Sequence, residues 1–206
     1  ARKAVAACEY GGDKGIFGFG YNDSSGYSGV TNLVSNAGVV ATDVSAVVTA
    51  RYGRAACEYG EDKGIFGYGY QLSPGFISTS NLISNAGVVA TDTTGVGTAR
   101  QSLAACAYGG DKGIFGFGTY PTVTGITNLV SNTGVIASDV AAVGTARYGI
   151  AACEYGEDKG IFGYGTTSGT TELLSTTNLV SNAGVVGTDV TGVGTARLTP
   201  AACSFN

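Results

Sequence analysis

Residues 50–69 read ARYGRAACEYGEDKGIFGYG, and this stretch returns at residues 146–165 with one of its twenty positions changed. Looser copies begin at Ala1 and Ala99, and a shortened copy occupies residues 196–206. Each unit is too small to bury a core of its own, so it must pack against its neighbours. We therefore predict one domain, residues 1–206, made of repeats 1–49, 50–98, 99–145 and 146–195 with a partial fifth repeat, 196–206.

The spacing of landmarks separates a fixed framework from one variable segment in each repeat. Successive cysteines lie 49, 49, 47 and 50 residues apart, but each cysteine is always 12 residues from the last glycine of GIFGFG or GIFGYG. The asparagine of TNLVSN or SNLISN is always 25 residues from the next cysteine. Loops that project from one face of a rigid framework vary in this way. The variable loops are residues 21–30, 70–79, 119–127 and 166–177.

Four short strands are predicted in each repeat, and helix is disfavoured by the many glycines and β-branched residues. In the first repeat the strands are expected near residues 6–10, 15–20, 31–36 and 39–43, with a Gly-Gly-Asp-Lys-Gly turn after the first. Strict alternation in the second strand predicts that Phe17 and Phe19 share one face and that the glycines occupy the other. The rings of one sheet can then fill the hollow that glycines leave on a neighbouring sheet.

Four strands in about 50 residues, repeated four times, are typical of an all-β fold, a β-propeller of four-stranded antiparallel blades. The stretch AACEYG-x-DKGIFGYG resembles the first two strands of the kelch repeat, although the chain has neither the kelch Gly-Gly nor a tryptophan. The recurrent Thr-Ala-Arg resembles the arginine before the first kelch strand; the equivalent residues here are Arg2, Arg51, Arg100, Arg147 and Arg197. The array is also similar in style to phage tail and fibre repeats, which implies an extracellular or virion-surface location over a cytoplasmic one.

The strand count leaves one strand over. Residues 201–205 form a fifth first strand, so in a ring of four blades either residues 4–10 or residues 201–205 have no place. An unpaired strand tends to find a partner. We expect either a homo-oligomer formed through a terminal strand or a longer array of which this sequence, which has no methionine, is a processed form or an excerpt.

Composition excludes several classes of function. The net charge of −4 and the absence of a Lys/Arg cluster argue against nucleic-acid binding, and no apolar run is long enough for membrane insertion. The chain has no histidine, so Ser–His and Cys–His nucleophile pairs are impossible. We expect no enzymatic activity, no cofactor and no metal.

We interpret the repeated polar residues as structural rather than catalytic. The five cysteines, one per repeat, are expected to be small buried residues on core strands rather than disulfide or zinc partners. The acidic turn residues next to lysines are expected to be solvated turn chemistry. Each Asp that precedes an arginine by eight residues is expected to pair with it across adjacent blades; the pairs are Asp43–Arg51, Asp92–Arg100, Asp139–Arg147 and Asp189–Arg197. Three first-strand glutamates are expected to line a central channel; they are Glu9, Glu58 and Glu154.

The variable loops carry the candidate binding residues. They combine aromatic side chains with Ser, Thr, Gly and Asn, a composition that suits recognition of a glycan or a protein. Ordinary loop composition, with aromatics folded over the rim, explains it equally well. The candidate residues are Tyr21, Tyr27, Tyr70, Phe76 and Tyr120.

These features predict a non-catalytic structural or adhesive module that binds a glycan or protein through the loops. Two alternatives stay open: a kelch-type protein–protein adaptor, and an assembly subunit that polymerises through its unpaired terminal strand.

Overall fold

The computed structural model describes residues 1–45 and 48–204, and in these residues it shows an all-β protein without helices. Residue 205, the last residue of the predicted fifth first strand, lies outside the described part. Within it there are fourteen strands: β1 Ala6–Tyr10, β2 Lys14–Gly18, β3 Tyr21–Asn22, β4 Gly26–Tyr27, β5 Thr31–Val34, β6 Ala55–Tyr59, β7 Lys63–Gly67, β8 Ser80–Ile83, β9 Ala104–Tyr108, β10 Lys112–Gly116, β11 Thr127–Val130, β12 Ala151–Tyr155, β13 Lys159–Gly163 and β14 Thr177–Val180.

Each repeat forms one three-stranded antiparallel sheet with its second strand in the middle. In the second repeat, Ile65 of β7 lies opposite Cys57 of β6 on one side and Leu82 of β8 on the other. The predicted tight turn between the first two strands is confirmed, because Gly60 and Glu61 both have positive φ angles, 62° and 67°. The four sheets are β1–β2–β5, β6–β7–β8, β9–β10–β11 and β12–β13–β14, called here the first to fourth sheets.

The second strand is shorter than predicted, and this changes where its aromatic residues point. It ends at Gly18, because Phe19 adopts a φ of 67°, which breaks the alternation of an extended strand. The equivalents of Phe17 face the preceding sheet, and those of Phe19 face the following one. Phe66 packs on Gly18 of the first sheet, whereas the ring of Tyr68 contacts that of Phe115 in the third sheet. The prediction that Phe17 and Phe19 share a face is therefore wrong.

The fourth predicted strand is present only as a segment attached by isolated bridges. In the first repeat the side-chain amide of Asn32 donates hydrogen bonds to the Ala41 carbonyl (3.1 Å) and the Asp43 carboxylate (2.8 Å). The asparagine side chain thus replaces hydrogen bonds that a regular strand would make through its backbone. The sheets are therefore three-stranded rather than the four-stranded sheets that the sequence predicts. The bridges in this repeat are Val34–Val40 and Thr31–Val44.

The sheets pack in series, with aromatic rings seated against glycines as predicted. A Cβ atom built on Gly67 would lie 2.7 Å from the ring of Phe115, so only glycine allows this close approach. The first strands β1, β6, β9 and β12 lie side by side in that order. Within the described residues, however, no comparable packing joins the first and fourth sheets, and no closed ring is formed. The three ring–glycine pairs are Phe66–Gly18, Phe115–Gly67 and Phe162–Gly116.

The cysteines belong to the same packing between sheets. The sulfur of Cys57 lies against Gly113 of the following sheet, where an added Cβ would be 2.6 Å away. All five cysteines are free, and burial raises the pKa of the Cys8 thiol to about 12. The prediction of structural core cysteines is confirmed for Cys57 and Cys106, whereas Cys203 is exposed.

Candidate functional site

Each variable loop is a short hairpin fixed at its base to the segment that precedes the first strand. In the second repeat Tyr70 forms one bridge with Tyr52 in that segment and another with Phe76 across the loop. The backbone N–H of Tyr70 donates to the Tyr52 carbonyl at 2.8 Å, and the reverse bond measures 3.0 Å. The loops therefore start from the same point of the framework in every repeat. The equivalent base pairs are Lys3–Tyr21, Gln101–Thr119 and Tyr148–Thr166.

Six aromatic side chains from three repeats meet on this face in one continuous row, which we call the aromatic band. The rings of Tyr27 and Tyr52 are stacked, 5.5 Å apart and inclined by 15°. The remaining contacts are mostly edge-to-face, which is a favourable geometry for aromatic pairs. The successive centroid distances are Tyr21–Tyr27 5.6 Å, Tyr27–Tyr52 5.5 Å, Tyr52–Tyr70 5.8 Å, Tyr70–Phe76 4.9 Å and Phe76–Tyr120 4.3 Å.

The structure thus brings together all five aromatic residues that the sequence singled out. Sequence reasoning missed Tyr52, because it lies in the repeated ARYG stretch outside the variable loops. A signal for it was available: the equivalent positions hold Lys3, Gln101 and Tyr148, so this framework position changes in character from repeat to repeat as the loops do.

The aromatic band is partly open to solvent and nearly uncharged. Five of its rings are half-buried, and that of Tyr120 is 45% exposed. Burial, together with the neighbouring tyrosines, raises the pKa of Tyr27 further above neutrality. At one end, Lys3 lies 5.3 Å from the Tyr21 ring and forms an ion pair with Asp23 at 2.6 Å. This is a solvent-exposed ion pair.

The fourth repeat does not extend the aromatic band. Its loop, TTSGTTELLSTT, has no aromatic residue. Leu173 bridges to Thr166 at the position that Phe76 holds in the second repeat. The Tyr148 hydroxyl accepts a hydrogen bond from the Gly169 N–H at 3.1 Å, which ties this tyrosine to its own loop. The protein thus carries an aliphatic counterpart of the aromatic loops on the same framework.

A second concave region lies between the first strands. It is a cavity of about 400 Å³, and the predicted channel glutamates Glu9, Glu58 and Glu154 all line it. Burial is the main cause that raises the pKa of Glu58 to about 7, and the charges of Glu9 and Glu154 add to it. The third repeat contributes Ala107 instead of a glutamate. Most of the remaining lining consists of alanine and cysteine side chains from the same strands.

The repeated arginines are structural, but their partners differ from the prediction. Arg51 is fully buried and pairs with Asp92 (2.9 Å), not with Asp43. Between Asp43 and Arg51 the chain crosses to the next sheet, and Arg147 likewise pairs with Asp189 of its own repeat (3.8 Å). Arg100 donates instead to the Thr98 carbonyl (3.0 Å) and to the Asn128 side chain (2.8 Å). The prediction is therefore wrong for all four pairs, since none of them is an ion pair among the described residues: Asp43–Arg51, Asp92–Arg100, Asp139–Arg147 and Asp189–Arg197. Arg51 also bonds to Asn81, which in turn donates to Asp92 at 2.8 Å.

These networks fix the junction between successive repeats. Burial alone would raise the pKa of Asp92, but hydrogen bonds from Thr49 and Asn81 and the charge of Arg51 lower it to about 2. The backbone carbonyl of Arg51 meanwhile accepts a bond from the Gly20 N–H of the first repeat (3.2 Å). Arg51 therefore contacts the adjacent sheet through its backbone carbonyl, whereas its ion pair with Asp92 lies within one repeat. The predicted ion pair across adjacent blades is not formed.

The acidic turns form local ion pairs, as predicted. Asp62 pairs with the adjacent Lys63 at 2.6 Å and also accepts a hydrogen bond from Asn85 at 3.0 Å. Among the described residues, no cluster of three or more Cys, Asp or Glu side chains is arranged to hold a metal ion. The same part of the chain has no helix that is long and apolar enough to cross a membrane.

No protein-family model and no curated protein matches the chain, so its function is argued from the geometry of the aromatic band.

Proposed function

We propose that the protein is a non-catalytic binding module, built on a kelch-like β-propeller plan, that recognises its ligand through the aromatic band. The observation that carries the proposal is the convergence of five aromatic side chains from three separate loops, together with Tyr52 of the framework, into one row. Loops of different sequence on a nearly constant framework are typical of recognition surfaces. The propeller plan is supported by the first strands, which lie side by side around one cavity.

A neutral glycan is the ligand class that the chemistry of the band favours. The four variable loops contain no lysine or arginine, and their charged residues are Asp23 and Glu172. Tyrosine rings offer rigid apolar area for the C–H faces of sugars, and tyrosine hydroxyls with nearby Ser, Thr and Asn side chains offer hydrogen bonds. A charged ligand would find no free cation among the loop residues.

The experiment is a screen of the purified protein against an array of neutral oligosaccharides, followed by calorimetric titration of the best hit. Tyr120→Ala and Phe76→Ala are expected to weaken binding at least tenfold, since both remove ring surface from the band. Leu173→Ala is the matched control, because it changes the equivalent of Phe76 in the fourth repeat, and it should leave the affinity unchanged. Full affinity in both aromatic variants, or no hit on the array, would refute glycan recognition through the band.

The assembly-subunit alternative has one observation in its favour. Residues 201–204, the described part of the fifth first strand, form no strand, and residues 201–203 are exposed. Backbone groups in such a segment are available for pairing with another chain. Electron microscopy of the purified protein tests this: filaments would favour the assembly role, and dispersed particles would exclude it.

A further inference from the structure

Each of the three internal junctions between sheets is built from the same contacts. The ring of a phenylalanine from the following sheet lies on a glycine of the preceding one, as for Phe66 on Gly18. In the other direction, a leucine and a tyrosine of the preceding sheet pack on the glycine of the following Ser-Asn-Ala-Gly or Ser-Asn-Thr-Gly turn. These sets are Leu33 and Tyr10 on Gly87, Leu82 and Tyr59 on Gly134, and Leu129 and Tyr108 on Gly184.

The outer face of the fourth sheet carries one half of this junction without a partner. A Cβ built on Gly163, the equivalent of Gly18, would have only the Thr177 methyl of its own repeat nearby, at 3.3 Å. Tyr155 is 37% exposed, whereas its equivalent Tyr108 is 3% exposed. Leu179 is 43% exposed, whereas its equivalent Leu129 is partly buried and packs against the core. An exposed set of apolar groups that is buried at every other junction is an unoccupied interface.

The outer face of the first sheet carries the complementary half. Phe17 is 44% exposed, while its three equivalents are fully buried. A Cβ on Gly38, the equivalent of Gly87, would have no atom within 4 Å. Gly15, Phe17 and Val34 of this face line the same cavity as residues 202–204 at the other end of the arc. The two unpaired halves therefore border one common space.

Residues 197–199 already occupy the start of a following repeat. The Arg197 carbonyl accepts a hydrogen bond from the Gly165 N–H at 3.0 Å, as that of Arg147 does from Gly118 at 3.0 Å. The Thr199 N–H donates to the Gly149 carbonyl at 2.7 Å, and Gly149 in turn donates to Ser102 at 2.9 Å. The backbone hydrogen bonds that begin a repeat are thus already formed at the inner edge of the space. The second and third strands of a fifth sheet would complete it.

We propose that this space, bounded by the fourth-sheet and first-sheet faces, binds one polypeptide segment that has the second-to-fourth-strand sequence of this repeat. The segment carries Lys-Gly-Ile-Phe-Gly followed by a Thr-Asn-Leu-Val type strand. Its phenylalanine ring lies on Gly163, and the ring of Phe17 lies on its glycine. Its second strand pairs with the inner segment at residues 201–204. The bound segment would make the same contacts that join successive sheets at the three internal junctions of the protein.

The test uses the full chain and a synthetic peptide with the sequence of residues 60–98. Sedimentation and calorimetry should show a 1:1 complex. A control peptide with Phe66→Ala should bind at least tenfold more weakly. In the protein, Gly163→Val should cause a similar loss, because any side chain there occupies the site of the incoming ring. Leu72→Ala, at a distant residue that is 80% exposed, should have no effect.

A second experiment does not depend on the solubility of the free peptide. A copy of residues 61–98 fused after Asn206 continues the repeat in register, and it should raise the melting temperature of the protein by several degrees. The same fusion with alanine at its phenylalanine should not. Absence of both peptide binding and fusion stabilisation overturns the proposal. So does self-association of the chain alone that Gly163→Val abolishes, because a second copy would then be the occupant.

Discussion

The second strands of the first and third sheets have the same sequence, KGIFG, and different surroundings. Phe17 is 44% exposed in the first sheet, and Phe115 is fully buried in the third. The strands pair with their own neighbours in the same register, so the difference does not arise within the sheet. It arises because Phe115 has Gly67 of a preceding sheet to pack on. The core of this protein is therefore made between repeats, and a residue contributes only where the neighbouring repeat is present.

The largest expected effect tests this comparison directly. Phe115→Ala should lower the free energy of unfolding by about 3–5 kcal/mol, because it leaves a cavity between the second and third sheets. Phe17→Ala makes the same chemical change at a half-open site and should cost less than about 1 kcal/mol. Chemical denaturation of both variants measures the difference. Equal losses would show that the first sheet's outer face is as tightly packed as an internal junction.

The second prediction compares two equivalent positions that have similar surroundings but carry different residues. Arg54 occupies the position held by Leu103 in the third repeat, and both are buried, at 6% exposure each. The Nε and Nη1 atoms of Arg54 have no hydrogen-bond partner, and its guanidinium lies 3.1 Å from the centroid of the Phe19 ring. Burial is the first cause that holds the pKa of Arg54 well below its ordinary value. A buried cation without a close anion destabilises the fold.

Arg54→Leu is therefore expected to raise the free energy of unfolding by about 1–4 kcal/mol. The matched control is Arg51→Leu, which removes the cation that pairs with Asp92 and should destabilise the protein instead. Denaturant titration at one pH distinguishes the two. A loss of stability in Arg54→Leu would mean that its contacts with Phe19 and Phe66 contribute more than its burial costs.

The smallest effect concerns the cavity, where Glu58 in the second repeat is replaced by Ala107 in the third. Burial raises the pKa of Glu58 from 4.5 to about 7, so the folded state holds this proton more tightly than the unfolded chain. The resulting stabilisation is fully present below about pH 4.5 and is lost as the pH rises through about 7. Glu58→Gln should therefore gain melting temperature relative to the parent at pH 8 and not at pH 5. An identical difference in melting temperature at pH 5 and at pH 8 would contradict a raised pKa of Glu58.

The features that could be predicted from the sequence are those that single residue types impose. The glycine turns and the ring–glycine packing follow from local pattern. The five loop aromatics chosen from the sequence lie close together, and their role in binding stays a prediction. The position of Phe19 does not, because its φ of 67° ends a strand whose alternation continues in the sequence. The partner of Arg51 was missed because sequence separation gives no information on where the chain crosses to the next sheet. Ring closure depends on the angle between sheets, which many small contacts determine together.

The bridges at the base of the loops have a practical consequence. The first residue of each hairpin is held to the framework by an equivalent backbone bridge, for example Tyr52–Tyr70 and Gln101–Thr119, so the loops share one point of attachment. Between 9 and 12 residues separate the flanking glycine from the asparagine in the four repeats of one chain. The molecule is thus suited to the display of varied peptides at four sites, provided that the buried loop residues, such as Ile77 and Thr166, are kept.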